Sequence, residues 1–312
     1  MRNFGIVKNR NIIFAIEAVI ILITIVSVVL FGIKLDIQFK GGSIITYSYD
    51  GAIDQAVVED MVAEHFGPYA NVQYSNDYLN NKENIVISMT ESLDLSNDTI
   101  GLFNAAVKEA MPENNFEMAS VNRVDPLIGG EFLLKCVIAV AFSSLLTIIY
   151  VAIRFKILSG WSAGTMAVVA LLCDVTVVFA TFVVMRFPIN ANFIAVVLTI
   201  LGYSINNTIV VYDRIRENSK NLKTKVPGAF EEMVNKSVNQ SLTRSINTTL
   251  ATVLALVTIC VMAFIYNIND ILTFSFPLIT GLLSGLFTSV CIAPNLWVAW
   301  KLAKTKKAKA KK

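Results

Sequence analysis

The sequence predicts an α-helical membrane protein with six transmembrane helices and one soluble α+β domain between the first and second of them. Composition is the first indication, because 55% of the 312 residues are hydrophobic and only 16% are charged, whereas soluble domains are about one quarter charged. Six apolar runs are long enough to cross a bilayer. Between the first two runs, residues 34–131 are acidic and alternate between strand-like and helix-like patterns.

Composition also excludes several kinds of site. All four cysteines lie in apolar runs without zinc-binding or haem-binding spacing, and His65 is the single histidine. The sequence contains no P-loop and no Ser-His-Asp arrangement. We therefore expect a protein that is not an enzyme and holds no metal or cofactor, so that any work it does draws on a proton or sodium gradient or on a partner. The cysteines are Cys136, Cys173, Cys260 and Cys291.

The first predicted helix follows a basic amino-terminal segment. Ile12–Gly32 is an apolar run without a small-x-small cleavage site before Lys34, which favours an uncleaved transmembrane helix over a signal peptide. Residues 1–33 are thus assigned to a cytoplasmic amino terminus and helix one. Glu17 lies inside the cytoplasmic end of this helix, where it either faces neighbouring helices or extends toward the headgroups.

Residues 34–131 hold 16 acidic and five basic residues. Their apolar patterns predict the order β-α-β-β-α-β, which is the ferredoxin-like arrangement of one sheet with both helices on one face. In the first helix, the predicted apolar side contains Ile53, Val57 and Met61, with Ala56 and Val58 as further candidates. Ser96 is predicted to cap the second helix. In chain order the predicted elements are Ser43–Tyr49, Ile53–Phe66, Ala70–Ser75, Asn84–Thr90, 96–111 and Phe116–Val124.

Five more transmembrane helices are predicted within residues 132–300. Basic residues cluster in the amino terminus, the 154–156 turn, the 213–244 loop and the tail. The positive-inside rule therefore predicts that both termini are cytoplasmic and that residues 34–131 lie outside. The predicted helices are Phe132–Ile153, Gly160–Met185, Ala191–Tyr212, Ser245–Tyr266 and Leu272–Trp300.

Two cytoplasmic segments have patterns of their own. In the 213–244 loop, Ala229–Leu242 has apolar residues at helical spacing, which predicts a separate amphipathic helix at the membrane surface. The tail of residues 301–312 contains seven lysines. It is predicted to be disordered and to contact anionic lipid headgroups, with binding to a ribosome or nascent chain as the alternative.

Several polar residues lie where lipid would penalise them, and these are the candidates for an ion pathway. Asp174 is near mid-membrane, where a carboxylate costs about 2.5 kcal/mol or more unless it is paired or hydrated. Arg244 is expected to pair with a carboxylate or with amides across a helix interface. Interhelical polar bonds are worth only ~0.6–2 kcal/mol, so a packing role remains the alternative. The candidates are Asp174, Asn206, Asn207, Arg244 and Asn247.

A charged motif ends the fourth transmembrane helix. Asp213, Arg214, Arg216 and Glu217 follow directly on its apolar run. The abrupt change predicts either a conformational hinge on the cytoplasmic side or a solvated helix end.

Three motifs together resemble the SecF family. They are FKGG (Phe39 to Gly42, with Phe39, Gly41 and Gly42 as the domain motif), GYSINNTIVVYDRIREN (202–218) and NQSLTRSINTT (239–249). SecF is the smaller half of the bacterial SecDF protein-export complex, in the resistance-nodulation-division superfamily. The resemblance implies a SecD partner, cooperation with SecYEG and SecA, and ion-gradient-driven pulling of unfolded polypeptides across the cytoplasmic membrane. No nucleic-acid partner is expected.

The sequence departs from the family pattern at three positions. Asn207 stands where the family usually has an aspartate proposed to carry protons, Cys173 replaces a common histidine before Asp174, and Gln38 replaces an acid. Protonation is therefore expected on the SecD half or on Asp174. Alternatively, amides and hydroxyls line a sodium path, because neutral oxygens suit a hard cation.

Two other functions remain open from the sequence. One is a small-molecule or lipid exporter of the same superfamily, although such exporters usually carry twelve helices in one chain. The other is a structural assembly subunit without its own ion path, which the loss of titratable groups favours.

Overall fold

The computed structural model of the chain describes residues 4–67, 70–77, 82–89, 97–124, 126–156, 160–220, 228–266 and 268–310. Within these ranges the elements follow one another in a helical membrane part that is interrupted by a small sheet with helices. In chain order they are α1 (Arg10–Phe31), α2 (Ile37–Lys40), β1 (Gly42–Tyr49), α3 (Gln55–Phe66), β2 (Asn71–Asp77), β3 (Lys82–Met89), α4 (Asn97–Ala110), β4 (Glu117–Val124), α5 (Pro126–Arg154), α6 (Gly160–Val184), α7 (Ala191–Ser219), α8 (Ala229–Ile265), α9 (Asn269–Phe287), a π-helical segment (Thr288–Ile292) and α10 (Ala293–Ala310).

Six stretches of the described chain are long and apolar enough to cross a membrane, as the sequence predicts. They are α1, α5, α6, α7, α8 and the continuous stretch from Asn269 to Lys304. Helix α1 shows the membrane pattern clearly, because its buried side carries Glu17, Thr24 and Ser27 while Val29 is 79% exposed. Apolar side chains outside and polar ones inside are what a lipid environment requires.

Small residues let the central helices approach closely. Helix α6 buries a row of them at spacings of three and four residues, and a Cβ at Gly160 would overlap the carbonyl group of Ala152 on α5. In a membrane the hydrophobic effect does not drive helices together, and close van der Waals packing does so instead. Rows of small residues allow this close packing. The row consists of Gly160, Ala163, Gly164, Ala167 and Ala170.

The sheet has the strand order β2-β3-β1-β4, with every neighbouring pair antiparallel. Alternate residues of β1 and β3 face one side and are buried there, as the period of two in a strand requires. Helices α3 and α4 cover this side, and Phe66 and Phe103 lie with ring centroids 4.8 Å apart between them. The buried strand residues are Ile45, Tyr47, Tyr49, Ile85, Ile87 and Met89.

The predicted apolar side of the segment Ile53–Phe66 is correct only in part, because Ile53 and Met61 pack against the core of the sheet but Val57 does not. The helix buries Val58, Val62 and Phe66, whereas Val57 is 40% exposed. Phe66, the largest apolar residue of the helix, packs on Phe103 and so fixes which stripe faces the sheet. Ser96, the predicted cap of the next helix, lies outside the described residues.

Among the described residues, the segments predicted to lie on the cytoplasmic side are more helical than expected. The separate amphipathic helix and the fifth span are one 37-residue helix, α8, because no glycine or proline interrupts residues 229–265. Of the predicted 213–244 loop, residues 213–219 belong to α7 and residues 229–244 belong to α8, while residues 221–227 lie outside the described part of the chain. The tail is also helical as far as Ala310 rather than disordered, since lysine and alanine are good helix formers.

The amino-terminal segment is bound to the amino-terminal part of α8. The backbone N–H of Phe4 donates to Oδ1 of Asn239 at 2.9 Å, and Nδ2 of Asn239 donates back to the Phe4 carbonyl at 2.9 Å. Arg10 forms an ion pair with Glu231 at 3.6 Å. The start of α1 and the start of α8 are thus held together.

Gly42 is predicted to be indispensable for the sheet. Its φ of +137° is unfavourable for any other residue, and a Cβ there would overlap the carbonyl oxygen of Met89 on the paired strand. We expect Gly42→Ala to destabilise the protein by about 1–3 kcal/mol, measured as a lower thermal unfolding midpoint of the purified protein in detergent.

Gly101→Ala is the matched control. Gly101 lies in α4, and a Cβ there would have no neighbour within 4 Å. This variant should be neutral or more stable, because alanine favours a helix over glycine. Equal effects of the two substitutions would contradict the steric argument.

Candidate functional site

Asp174 is completely buried on α6, and three hydroxyl groups surround its carboxylate. Ser204 of α7 donates to Oδ2 at 2.7 Å, and Ser284 of α9 donates to Oδ1 at 2.7 Å. Thr288 of the π-helical segment lies 2.8 Å from Oδ1 and 3.0 Å from Oδ2. An isolated carboxylate would be very costly at this depth, and the hydroxyl groups offset that cost by supplying hydrogen bonds.

A second layer of hydroxyl groups continues from this site along α7. Ser289 donates to the carbonyl oxygen of Ser204 at 2.9 Å, and the two side-chain oxygens are 3.2 Å apart. Thr208, one turn further toward the charged end of α7, donates to Ser289 Oγ at 3.0 Å. Each hydroxyl is both a donor and an acceptor, so the chain can reorient its hydrogen bonds when the charge on Asp174 changes.

The backbone of α9 lies close to Asp174 and Ser204 at a glycine. A Cβ at Gly285 of α9 would lie 3.2 Å from the Ser204 side chain and 3.6 Å from Asp174 Oδ2. The π-helical turn that follows brings both Thr288 and Ser289 to the buried side. Single π-helical turns of this kind occur frequently at functional sites.

The polar groups that surround the Asp174 carboxylate are all hydroxyl groups. No lysine or arginine of the described chain forms an ion pair with Asp174. Hydroxyl and carboxylate oxygens suit either a proton or a hard cation such as Na⁺. The described residues contain no group of three histidine, cysteine or acidic side chains that could hold a metal ion.

The other predicted ion-path residues belong to α7 and α8, and none of them has a hydrogen bond or ion pair with Asp174 in the described part of the chain. Asn207 is buried and its Nδ2 donates to Thr249 Oγ1 at 3.5 Å, a long bond. Asn206, Arg244 and Asn247 are exposed on the surface of the chain. The predicted pairing of Arg244 with a carboxylate or amide is not present among the described residues.

The charged motif predicted as a hinge or a solvated helix end lies within the last turns of α7. Helix α7 continues without interruption to Ser219. Asp213 Oδ1 lies 3.2 Å from Arg154 on α5 and 2.6 Å from Arg216 one turn on, and Arg214 pairs with Glu217 at 2.7 Å. The Arg154–Asp213 pair connects the carboxyl-terminal ends of α5 and α7, and the other two pairs lie within α7.

The FKGG motif forms the junction between the sheet and the membrane helices. Asp36 caps the short helix α2 by accepting from the Gln38 N–H at 2.9 Å, and Phe39 packs against Phe132 of α5 at 5.6 Å between ring centroids. Gly41 has a φ of +78°, and a Cβ at Gly129 would lie 3.0 Å from the Phe39 carbonyl oxygen.

The same junction is bound to the turn between α6 and α7. The Ile189 N–H donates to the Lys34 carbonyl at 2.7 Å, and the Asp36 N–H donates to the Ile189 carbonyl at 3.0 Å. Gln38 Oε1 accepts from the Ala191 N–H at 3.1 Å. Burial raises the pKa of Asp36 above its usual range; the Gln38 N–H opposes this shift, and the negative charge of Asp270 adds to it.

Comparison with known proteins agrees with this architecture. Residues 103–303 match the family model described as protein export membrane protein SecD/SecF, C-terminal. A protein translocase subunit SecF from Alicyclobacillus acidocaldarius is 33% identical over 98% of this chain and 95% of its own length. The chain belongs to the SecF family.

Fused relatives show where a SecF-family chain fits in a larger protein. The protein translocase subunit SecDF of Bacillus subtilis is 32% identical over 97% of this chain, which covers 39% of that protein. A crystal structure of SecDF from Thermus thermophilus, described as translocon-associated, matches with a TM-score of 0.77 and 26% identity over 96% of this chain and 39% of that one. This SecF-family chain therefore spans about two fifths of those SecDF proteins.

Sequence reasoning identified Asp174 in this SecF-family chain but missed most of its hydrogen-bond donors. Ser284 and Thr288 are spaced by four residues and alternate with Gly281 and Gly285, so they share one helix face with small residues. This pattern within an apolar span indicates a buried polar helix face, and it could have predicted the two donors. The contribution of Ser289 depends on the π-helical turn, which the pattern does not indicate.

We expect Thr288→Val to destabilise the protein by about 1–3 kcal/mol, because it removes the hydroxyl that bonds both Asp174 oxygens and leaves a buried charge less well solvated. The two side chains have nearly the same shape, so packing changes little. The measurement is thermal unfolding of the purified protein in detergent.

Thr258→Val provides the comparison. Thr258 is exposed on α8 and donates to the Leu254 carbonyl of its own helix at 3.0 Å. Its substitution should shift the unfolding midpoint far less. Similar decreases of the unfolding midpoint in both variants would show that the hydrogen bonds to Asp174 do not stabilise the protein more than an exposed hydroxyl does.

Proposed function

We propose that this chain is an accessory subunit of the Sec protein-export machinery that works with SecD and uses an ion gradient to pull translocating polypeptides across the bacterial cytoplasmic membrane. The observation that carries the proposal is the buried Asp174 carboxylate at the meeting point of α6, α7 and α9. Family membership supports the role in export, and Asp174 supplies a group that an ion can neutralise.

Ion binding at Asp174 would alter how three helices pack. A proton or Na⁺ changes the charge of the carboxylate and therefore the hydrogen bonds that it accepts from Ser204, Ser284 and Thr288. Pro277 within α9 and the π-helical segment are places where the backbone ladder is already interrupted. Movement of α9 relative to α6 and α7 at these points would couple ion passage to a change of conformation.

The SecD partner would cover the exposed polar residues of α7 and α8. Asn206, Arg244 and Asn247 are exposed on the chain's surface at helices that cross the membrane, and polar groups facing lipid are costly. A partner helix that supplies a carboxylate would neutralise Arg244 and satisfy the amides. This assignment makes Arg244 part of an interface between the two halves rather than of the Asp174 site.

The sheet with α3 and α4 would be a ferredoxin-like domain outside the membrane. Its strand order β2-β3-β1-β4 with both helices on one face supports this, and the distribution of basic residues supports cytoplasmic termini. The domain would contact the emerging unfolded chain, while SecYEG and SecA act at the channel and the lysine-rich end of α10 lies near anionic lipid. The FKGG junction would transmit helix movement to the domain.

Asp174→Asn tests the ion site. An amide keeps the size of the side chain but cannot lose or gain charge, so we expect export to lose its dependence on the ion gradient and to fall to the level seen without this subunit. Secretion is measured in sodium-free and sodium-containing media, in cells that contain the SecD partner.

Asp60→Asn is the matched control, because Asp60 is exposed on α3, and it should export normally. If Asp174→Asn also exports normally, the chain has a structural role without its own ion path. Sodium dependence in the unmodified protein would identify Na⁺ as the ion, and independence of sodium would identify the proton.

The SecD interface is tested by photo-crosslinking. A photoreactive residue at Asn247 should form a crosslink to SecD, whereas the same residue at Ile138, which is 56% exposed on α5, should not. Arg244→Ala should weaken recovery of SecD with this subunit, because it leaves the partner's carboxylate unpaired. Crosslinking at Ile138 alone would place the interface on the opposite side.

A further inference from the structure

Helix α6 ends in a cap whose key position is occupied by an arginine. Arg186 has a φ of +56°, which is the left-handed region that favours glycine. Its N–H donates to the Val183 carbonyl at 3.1 Å, and the Phe187 N–H donates to the Phe182 carbonyl at 2.9 Å. These two bonds define a Schellman cap, and the Phe182 and Phe187 rings, with centroids 6.0 Å apart, make the apolar contact that accompanies it. The chain therefore keeps an arginine where a glycine would be less strained.

The cap places Arg186 beside the end of α1. A narrow cleft between the ends of α1 and α6 is lined by two bases, Lys34 and Arg186. The other residues that line it are apolar or glycine. The Ile189 N–H donates to the Lys34 carbonyl at 2.7 Å, so the backbone on both sides of the cleft is held in place. The two positive charges thus belong to one surface.

Neither base is paired with an acid within the described ranges. Lys34 and Arg186 are both exposed, and the ion pairs found there involve other residues. The acid nearest to Lys34 along the chain, Asp36, accepts a hydrogen bond from the Gln38 N–H at 2.9 Å. Like charges that share a cleft repel one another, so an anion bound between them would be stabilised by both.

The position of the two bases indicates the class of anion. Lys34 follows Phe31, the last residue of α1, and Arg186 follows Val184, the last residue of α6, each by less than one helical turn. Both bases therefore lie where apolar spans end, at the level of lipid headgroups. Apolar side chains next to them face outward, since Ile33 and Val184 are each 48% exposed. A ligand for this surface has an anionic head and an apolar tail.

We propose that Lys34 and Arg186 bind the phosphate group of an anionic phospholipid at the membrane boundary where α1 and α6 end. The Arg186 guanidinium matches the phosphate oxygens with paired N–H donors, and the Lys34 ammonium adds a point charge. The headgroup lies over the cleft, and the acyl chains run along Ile33 and Val184. Binding accounts for the arginine at the cap, because a glycine would complete the cap but would bind no phosphate.

Thermal unfolding of the purified full chain in detergent micelles tests the proposal. Phosphatidylglycerol should raise the unfolding midpoint more than the same concentration of phosphatidylcholine or of inorganic phosphate does. In Lys34→Gln, about fivefold more phosphatidylglycerol should be needed for half of this increase, as expected when one base near an anionic headgroup is lost. Lys40→Gln is the matched control, because Lys40 is exposed on α2 and does not line the cleft. It should respond like the unmodified protein.

Arg186→Gly separates lipid binding from a role in folding. In phosphatidylcholine its unfolding midpoint should equal or exceed that of the unmodified protein, because glycine favours the left-handed conformation. Its response to phosphatidylglycerol should nevertheless be weaker, again by about fivefold in lipid concentration. A purely structural arginine would not produce these opposite effects.

Several results would overturn the proposal. An unchanged response to phosphatidylglycerol in both Lys34→Gln and Arg186→Gly would show that the bases do not bind the lipid. An equal increase with inorganic phosphate would identify a site for a free anion. A lower midpoint of Arg186→Gly in phosphatidylcholine would show that the arginine is retained for folding. If both variants keep the lipid response but recover less SecD, the bases belong to the partner interface instead.

Discussion

The structure of the membrane part depends on the cost of placing a charged group where water cannot reach it. The free-energy cost of burying the Asp174 carboxylate is offset by hydroxyl groups that α7, α9 and the π-helical segment place around it. Gly281 and Gly285 of α9 follow from the same need, since the donors reach the carboxylate only when α9 lies close to α6 and α7. Packing and polarity at this site are therefore one constraint rather than two.

The same principle distinguishes the two groups of polar residues. Those around Asp174 are satisfied within the chain, so their partners are intrinsic to this subunit. Those on α7 and α8, including Arg244, face outward from helices that are otherwise apolar. A single polypeptide that satisfies the polar groups around Asp174 and leaves an outer set exposed has the properties of one half of an assembly.

Much of the architecture could be predicted from the sequence because span length, charge asymmetry and strand alternation are local signals. The six spans and their order follow from apolar runs, and Asp174 stands out as a carboxylate in one of them. The apolar side of α3 was predicted only in part, because Val57 and Val58 are chemically alike and the packing of Phe66 on Phe103 selects the side that buries Val58. The separation of Asn207 and Arg244 from Asp174 is a tertiary fact that spacing along the chain does not encode.

Helix α8 has a mechanical consequence that follows from its length. A continuous helix of 37 residues is about 55 Å long, whereas the hydrocarbon core is about 30 Å thick, so roughly 25 Å projects beyond it. If α8 tilts as a rigid rod by about 10°, the tip of this projecting part would move by roughly 4 Å, as follows from the projecting length of roughly 25 Å. Because Asn239 and Glu231 on this projecting part hold the amino-terminal segment, that displacement would be passed to the base of α1.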